Sequence, residues 1–422
     1  MRILILSQFF DPELTLKGQA FAEALHSHGH QVEVLTAFPN YPGGRIFPGY
    51  RQALWRREMR NGIKITRVPL YPSHDRSALR RILSYLSFAL SASFLGPLLT
   101  GPVDLIYVYH PPGTISFPAL CLKLFKRARL VLDIQDLWPD SLAATGMVNS
   151  GLLTRIVGRW LSFFYRHTEA LSVLSPGFKL KLAGRGVPPE KIHVIYNWCD
   201  ERTFLNPPVH PLDKRALGVP EESFSVLFAG GLGLAQGLDT AVDAALKLRS
   251  TAPEIQLLFL GAGVDRDRLL HRVQTEGLSN VKFLPHVEVS EVPRYIAAAD
   301  ALLVHLKDNP LFHITVPSKT QAYMAAGKPI LMGVRGDAEH LVLRSGAGLT
   351  FEPENAEALA QAILELASRT ALERRQMGQR AQHFYREELS FQIGTGKFLE
   401  LFELVAGRSV SSVEKSALKA SG

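Results

Sequence analysis

The chain has 422 residues, of which 46% are hydrophobic and 20% charged, with 47 Lys and Arg against 39 Asp and Glu. This length and composition exclude a mainly disordered protein and favour two globular domains, with a flexible tail expected only at residues 406–422. Two cysteines without a Cys-x-x-Cys spacing argue against a disulfide framework and against a structural zinc site.

The chain opens with a short apolar run that ends at Ser7 and Gln8 and has no small-residue cleavage site. We interpret it as a buried strand, not as a signal peptide, and expect a cytoplasmic protein. Lys17 and Gly18 then lead into a helix rich in Ala and Leu, so the chain begins with a strand, a loop and a helix.

Positive charge is concentrated in the first half. Residues 1–200 hold 23 Lys and Arg against 13 Asp and Glu, a net charge of +10, whereas residues 201–422 hold 24 against 26. Such a field favours an anionic partner, either nucleic acid or the inner leaflet of a membrane. The basic residues lack the exposed aromatic pattern of single-strand binders, so we expect an anionic membrane surface and no nucleic acid.

Residues 76–99 carry the strongest membrane signal. Arg76, Arg80 and Arg81 precede 18 uncharged, mostly apolar residues, which are interrupted by four serines and Pro97. Three interpretations stay open: an amphipathic or partly inserted helix lying on a membrane, an ordinary buried helix, and a membrane span at the short limit.

Continuously apolar runs recur in both halves, which is typical of strands buried on both faces of a parallel sheet. The runs are RILILSQ, QVEVLTA, IKITRVP, DLIYVYH, ARLVLDIQ, ALSVLS, KIHVIYN, SFSVLFAG, IQLLFLGAG, VKFLPHV, ALLVHLK, KPILMGV and GAGLTF. We therefore predict an α/β protein with two doubly wound, Rossmann-like domains.

The domain boundary is predicted in the Pro-rich stretch from Asn197 to Pro220. The predicted organisation is a membrane-facing Rossmann-like domain (1–200), a linker (201–220), a second Rossmann-like domain (221–381) and a C-terminal helix that returns to the first domain (382–405).

Residues 224–243 predict a phosphate-binding turn, because an apolar strand runs into a glycine-rich loop and then a helix. Glycine amides and a helix N-terminus can bind a nucleotide diphosphate, although the same pattern occurs in ordinary strand-to-helix connections. The residues predicted to bind the diphosphate here are Gly231, Leu232, Gly233, Gln236 and Gly237.

The combined motifs resemble the retaining glycosyltransferases of the GT-B type, family 4, in the bacterial surface-polysaccharide branch that contains fucosamine and colanic acid transferases. The resemblance covers residues 1–405. It rests on HGHQVEVLTAFPNYPGG, RSALRRILSYLSFAL, DIQDLWPDS, SPGFKLKLAGRGVPPEKIHVIYN, LFAGGLGLAQGLDT, LLFLGAG, VPSKTQAYMAAGKPI and GDAEHLV.

The resemblance implies two domains facing a central cleft, with the donor on the second and the acceptor on the first. It implies sugar transfer with retention from a nucleotide diphosphate, which we expect to be a UDP-sugar, to a lipid-diphosphate-linked saccharide. No metal and no other cofactor is expected. The protein would be peripheral on the inner face of the plasma membrane.

Growing charge on a leaving diphosphate must be neutralised. Lys319 supplies a cation and Ser318, after Pro317, a hydroxyl.

In the first domain, His110 falls where the family keeps an active-site histidine, and Lys17 and Gly18 fill the position of its first glycine loop.

Asp136 follows another strand and could accept the proton of the acceptor hydroxyl or orient that hydroxyl. Two other patterns do not predict a metal site. His26, His28 and His30 alternate at a helix end, where the Gly29-His30 pair matches the family's turn into the second strand. Asp265-Arg266-Asp267 opens a helix, where acidic residues favour the dipole.

Two departures from the family leave alternatives open. The glycine turn lacks the usual Arg and Lys and has Gln236, and Ile314 and Ala322 stand where many members have a pair of glutamates. A sugar-nucleotide 2-epimerase and a non-catalytic nucleotide-sugar-binding subunit are the competing hypotheses.

Overall fold

The computed structural model describes residues 1–13, 15–73, 77–141, 151–206 and 208–407. The chain forms two compact units: Met1–Tyr196 with the chain from Thr395 onward, and Asn197–Gly394. Arg76 and residues 408–422 of the predicted tail lie outside the described residues.

The first unit is built on an eight-stranded sheet with the order β3-β4-β2-β1-β5-β6-β7-β8. Its strands are β1 (Arg2–Leu6), β2 (Gln31–Ala37), β3 (Arg56–Arg60), β4 (Ile63–Val68), β5 (Leu105–His110), β6 (Arg129–Ile134), β7 (Ala170–Val173) and β8 (Ile192–Val194). All neighbours are parallel except β3, which pairs antiparallel with β4. The charges of β3, which apolar patterning does not predict as a strand, suit an exposed sheet edge.

Helices cover this sheet. They are α1 (Gln19–Ser27), α2 (Ala78–Leu99), α3 (Ser116–Lys126), α4 (Gly151–Arg166) and α5 (Pro176–Ala183). Helix α3 packs against both α2 and α4.

The second unit contains a six-stranded, wholly parallel sheet with the order β11-β10-β9-β12-β13-β14. Its strands are β9 (Phe224–Ala229), β10 (Ile255–Leu260), β11 (Val281–Leu284), β12 (Ala301–His305), β13 (Ile330–Gly333) and β14 (Gly348–Thr350). Its helices are α6 (Glu201–Phe204), α7 (Asp239–Thr251), α8 (Arg266–Thr275), α9 (Val292–Ala298), α10 (Pro310–His313), α11 (Ser318–Ala325), α12 (Asp337–Ser345), α13 (Ala356–Ser368) and α14 (Ala371–Phe384).

The central strands of the second sheet are buried along their whole length. Every residue of β9, β10 and β12 is buried, because helices lie on both faces of the sheet. Each fully buried Val, Leu or Phe contributes about 1.5–3 kcal/mol. Apart from β3, the strands of both sheets follow the continuously apolar runs, and the predicted fold class, α/β with two Rossmann-like sheets, is confirmed.

The C-terminal helix α15 (Phe391–Ala406) belongs to the first unit from Thr395 onward. Phe398 on this helix makes edge contacts with Tyr107 and Phe21, at ring-centroid distances of 5.5 and 5.3 Å. Residues 382–405, predicted as one returning helix, are divided in the structure: α14 ends at Phe384, and a π-helical turn (Tyr385–Leu389) precedes α15.

Candidate active site

The glycine turn of the second unit begins directly after β9. Gly230 has φ = +139° and Gly237 has φ = +57°, conformations that favour glycine. A Cβ atom on Gly230 would lie 2.6 Å from Cε of Lys319, so the end of the lysine side chain lies directly beside this glycine. The strand, the turn and the Lys319 side chain are therefore in close contact.

Some amides of this turn are used internally. The Leu232 N–H donates to the Ala262 carbonyl (2.8 Å), and the Gly233 N–H donates to the side-chain oxygen of Gln236 (3.0 Å). Among the described residues, the amides of Gly231, Leu234 and Ala235 have no acceptor. These three are the main-chain donors that the turn can offer a phosphate group.

Lys319 lies in the first turn of α11. The side chain is half-buried, its Nζ is 4.6 Å from the centroid of the Phe228 ring, and no carboxylate of the described residues is within ion-pair distance. Burial lowers the pKa of the Lys319 ammonium to about 8. A desolvated cation without a protein anion is the electrostatic signature of an anion-binding site.

Tyr323 fixes α11 against the end of β9. The Ala229 N–H donates to the Tyr323 hydroxyl (2.9 Å), which donates to the Ala229 carbonyl (3.1 Å). Because Lys319 lies one helical turn before Tyr323, this contact holds the lysine beside Gly230. Ser318 is exposed at the start of the same helix, after Pro317, so its hydroxyl and the helix N-terminus face solvent.

His305 is a residue that the sequence analysis missed. One ring nitrogen, Nε2, accepts the Glu354 N–H (3.1 Å), so Nδ1 carries the proton and donates to the Gln236 carbonyl (2.6 Å). Burial lowers the pKa of His305, which keeps the ring neutral. His305 is thus a positioning residue for the turn at Gln236 and Gly237. A polar residue closing the buried strand ALLVH was the available signal.

In the first unit, His110 ends β5 and is fully buried. Neither ring nitrogen has a hydrogen-bond partner among the described residues. Burial lowers its pKa to about 4, so the ring is neutral at pH 7. A neutral imidazole can donate one hydrogen bond and accept another.

Asp136 follows β6, the neighbour of β5. The Gln135 N–H donates to the His110 carbonyl (2.7 Å), so the two strand ends meet at one sheet edge. The Asp136 carboxylate is exposed and has no hydrogen-bond partner among the described residues, while partial desolvation by surrounding protein raises its pKa. The structure therefore brings His110 and Asp136 to the same edge.

Lys17 and Gly18 are both buried, and their contacts are within the protein. Lys17 is fully buried and its Nζ lies 2.7 Å from the Asp133 carboxylate. The Asp11 carboxylate accepts the Gln19 N–H (2.7 Å) at the start of α1, and a Cβ on Gly18 would overlap it. Protein carboxylates therefore already satisfy this lysine and this helix N-terminus.

No group of three His, Cys, Asp or Glu side chains within the described ranges is arranged to hold a metal ion. His26 and His28 instead bond main-chain carbonyls, those of His30 and Ala24. Asp265 pairs with Arg268 at 2.6 Å.

Two family models match the chain. Residues 19–198 match the glycosyl transferase 4-like domain, and residues 210–384 match the glycosyl transferases group 1 family.

The chain is 28% identical over 380 residues to the putative colanic acid biosynthesis glycosyl transferase WcaI of Escherichia coli (strain K12), covering 86% of this chain and 91% of WcaI. It is 26% identical over 261 residues to the probable glycosyltransferase WbjE of Pseudomonas aeruginosa, covering 59% of this chain and 64% of WbjE.

Solved structures share the fold. Sucrose-phosphate synthase from Thermosynechococcus elongatus has a TM-score of 0.70 at 18% identity, with 97% of this chain and 100% of that chain covered. HepE from Anabaena, solved in complex with UDP and glucose, has a TM-score of 0.68 at 17% identity, with 96% and 99% covered.

The two sheets and the matched domains define a glycosyltransferase of the GT-B fold. More narrowly, the chain belongs to the family 4 glycosyltransferases, as the motif resemblance predicts.

Proposed function

We propose that this protein transfers a hexosyl or N-acetylaminosugar group, with retention, from a UDP-sugar to a lipid-diphosphate-linked saccharide in surface polysaccharide synthesis. The observation that carries the proposal is Lys319, a half-buried ammonium that pairs with no carboxylate of the described residues and lies beside a glycine turn with free amides. The similarity to WcaI, a putative colanic acid biosynthesis transferase, supports the polysaccharide, and the similarity to HepE, solved with UDP, supports the nucleotide.

The donor diphosphate fits the second unit on chemical grounds. Its oxygens accept hydrogen bonds from the amides of Gly231, Leu234 and Ala235, while Lys319 neutralises the charge that grows as the sugar leaves. Ser318 donates a hydroxyl hydrogen bond at the positive end of α11. The proposed reaction needs no bound metal, because the lysine supplies the positive charge.

The proposed chemistry is front-face departure and attack. The bond between the anomeric carbon and the diphosphate oxygen breaks, the acceptor hydroxyl bonds to the same face of that carbon, and its proton passes to the leaving phosphate oxygen. The neutral His110 ring donates a hydrogen bond to the sugar, and Asp136 orients the acceptor hydroxyl.

The proposed lipid partner rests on helix α2. The helix buries Ser84, Phe88 and Ala92 at a spacing of four residues, which places them on one face. The other side exposes apolar residues: Leu79, Leu83, Leu86, Leu90, Phe94 and Leu98. By length and composition Leu79–Leu99 could cross a membrane, and 28% of the apolar window is buried.

Neighbouring helices extend this surface. Helix α3 exposes Leu124 and Phe125, and α4 exposes Leu152, Ile156 and Phe163. We define these residues, with the exposed residues of α2, as the apolar helical face.

Exposed arginines lie on the same helices: Arg80, Arg155, Arg159 and Arg166. Apolar insertion next to cationic side chains suits an anionic leaflet, which supports peripheral binding at the inner face of the plasma membrane.

Activity can be tested with purified protein, a panel of UDP-hexoses and UDP-N-acetylaminosugars, and a synthetic lipid-diphosphate-linked saccharide. The expected result is a coupled product with the donor's anomeric configuration, assigned by NMR coupling constants. An epimerised free donor would support the epimerase alternative, and donor binding without turnover across the panel would support the non-catalytic one.

The lipid surface is tested by sedimentation with vesicles of phosphatidylcholine, with and without phosphatidylglycerol. Leu90→Gln/Phe94→Gln/Leu98→Gln should reduce sedimentation with both vesicles, and Arg80→Gln/Arg81→Gln should reduce only the anionic increment. Leu372→Gln, an exposed leucine of α14, is the matched control. Equal sedimentation of all variants would remove the membrane proposal.

A further inference from the structure

Gln8 is a buried polar residue whose side chain is unsatisfied. It lies two residues after β1, and only 1% of its surface is exposed. Neither the side-chain oxygen nor the side-chain nitrogen has a hydrogen-bond partner among the described residues. Both ends of one side-chain amide are therefore unsatisfied within the part of the chain that the structure describes.

The backbone around Gln8 is fixed. The Ser7 N–H donates to the Leu35 carbonyl (3.2 Å), and the Thr36 hydroxyl donates to the Gln8 carbonyl (3.3 Å). These bonds continue the pairing of β1 with β2, so the main chain of Gln8 is held where the sheet ends. An unsatisfied buried amide lowers stability, and native proteins satisfy most such groups.

His110 lies at the end of the adjacent strand. Leu6 pairs with Val108 in the parallel register of β1 and β5, and Gln8 and His110 each follow two residues later. Both His110 nitrogens also lack partners among the described residues. Two neighbouring strand ends thus present an amide and an imidazole that are buried and unsatisfied. The carboxyl edge of a parallel sheet is where ligands bind in this class of fold.

The chemistry of these groups selects the ligand. An amide donates and accepts hydrogen bonds, and a neutral imidazole does the same, while neither carries charge. A phosphate group accepts only and favours cations, so it matches this pair poorly. Hydroxyl groups donate and accept, and adjacent hydroxyls of a sugar ring can meet both side chains.

Resting on the proposed glycosyltransferase function, we infer that Gln8 binds a sugar hydroxyl beside His110. The sugar is either the group being transferred or the terminal residue of the acceptor, which share the same hydroxyl chemistry. Gln8 would then be a substrate-binding residue of the first unit.

The test uses the full-length protein and two apolar variants, Gln8→Met and Gln8→Leu, so that one poorly folded variant does not end the experiment. We expect each to melt at or above the wild-type temperature and to lose about 10- to 100-fold in kcat/KM. Gln256→Leu is the matched control, because the Gln256 side chain donates to the Pro253 carbonyl (3.2 Å). That variant should melt lower with kcat/KM unchanged.

Deoxy substrates separate the two sources of the hydroxyl. If Gln8 contacts the transferred sugar, removal of one donor hydroxyl will abolish the difference between wild type and Gln8→Met. If Gln8 contacts the acceptor instead, a deoxy acceptor will abolish the difference between wild type and Gln8→Met. Either result supports the inference.

The inference would be overturned if both Gln8 variants had the same kcat/KM as the wild type. It would also be overturned if their loss in kcat/KM persisted with every deoxy donor and every deoxy acceptor. Because the wild-type protein would still be active in that case, the proposed function would stand. An inactive wild-type protein would instead refute the proposed function itself.

Discussion

Two lysines, the fully buried Lys17 of the first unit and the half-buried Lys319 of the second, have ammonium groups over a phenylalanine ring but different anionic surroundings. Lys17 lies 5.0 Å from the Phe398 ring and 2.7 Å from the Asp133 carboxylate. Lys319 lies 4.6 Å from the Phe228 ring and has no carboxylate partner among the described residues. Burial and an aromatic contact are common to both. The carboxylate therefore distinguishes a lysine that builds the fold from one that can bind an external anion.

Replacing Lys17 should have the largest effect on stability. Lys17→Met leaves the Asp133 carboxylate buried without its cation, and we expect the free energy of unfolding to fall by about 3–5 kcal/mol. Chemical denaturation measures this loss. Lys17→Met/Asp133→Asn should recover part of it, since Asn keeps hydrogen-bonding capacity toward Tyr107 and Ser172. A Lys17→Met protein as stable as the wild type would contradict the structural role of this lysine.

His305→Ala should have the next largest effect. It leaves the Gln236 carbonyl and the Glu354 N–H without their ring partner, which costs about 1–3 kcal/mol. Donor KM should rise more than kcat falls, because His305 positions the turn without touching the substrate. His26→Ala, at an exposed histidine of the first unit, is the control. Unchanged donor KM in His305→Ala would show that this turn does not bind the donor.

The pH dependence of Lys319 gives a smaller effect. Its pKa is lowered to about 8 from the ordinary lysine value of 10.5, so the folded protein binds fewer protons than the unfolded chain between these values. The contribution of Lys319 to stability therefore rises with pH across that window. The affinity for a nucleotide diphosphate should fall by about 10-fold, or 1.4 kcal/mol, between pH 7.5 and 9.5 as the ammonium is lost. Neither trend should occur in Lys319→Met.

The local sequence pattern predicts most of the elements that surround Lys319. Continuous apolar runs indicate β1, β5, β9 and β12, and glycine spacing indicates the turn after β9. The motif VPSK predicts Lys319 at a helix start, and the structure has it in the first turn of α11. These features depend on residues close in the chain, where patterning is informative.

Long-range pairing is not contained in that pattern. Lys17 and Asp133 are 116 residues apart, and no local signal indicates their ion pair. Hydrogen bonding within the glycine turn is not contained in the pattern either. The predicted Leu232 and Gly233 amides donate to acceptors in the protein, whereas those of Leu234 and Ala235, which were not predicted, have no acceptor among the described residues. Gln8 resembles an ordinary loop residue until its burial is known.

Isothermal titration calorimetry of the wild type and Lys319→Met is the sharpest test of whether Lys319 binds a nucleotide diphosphate. The ligands are UDP, GDP and ADP, so that the preferred base is found in the same experiment. We expect the best nucleotide to bind Lys319→Met about 100-fold more weakly than the wild type. The variant should melt at the wild-type temperature or above, since an unpaired, desolvated charge has been removed. Equal affinity would contradict this role of Lys319. A lower melting temperature would also contradict it, because that is the result expected for a structural lysine such as Lys328, whose Nζ donates to the Ala297 and Ala299 carbonyls.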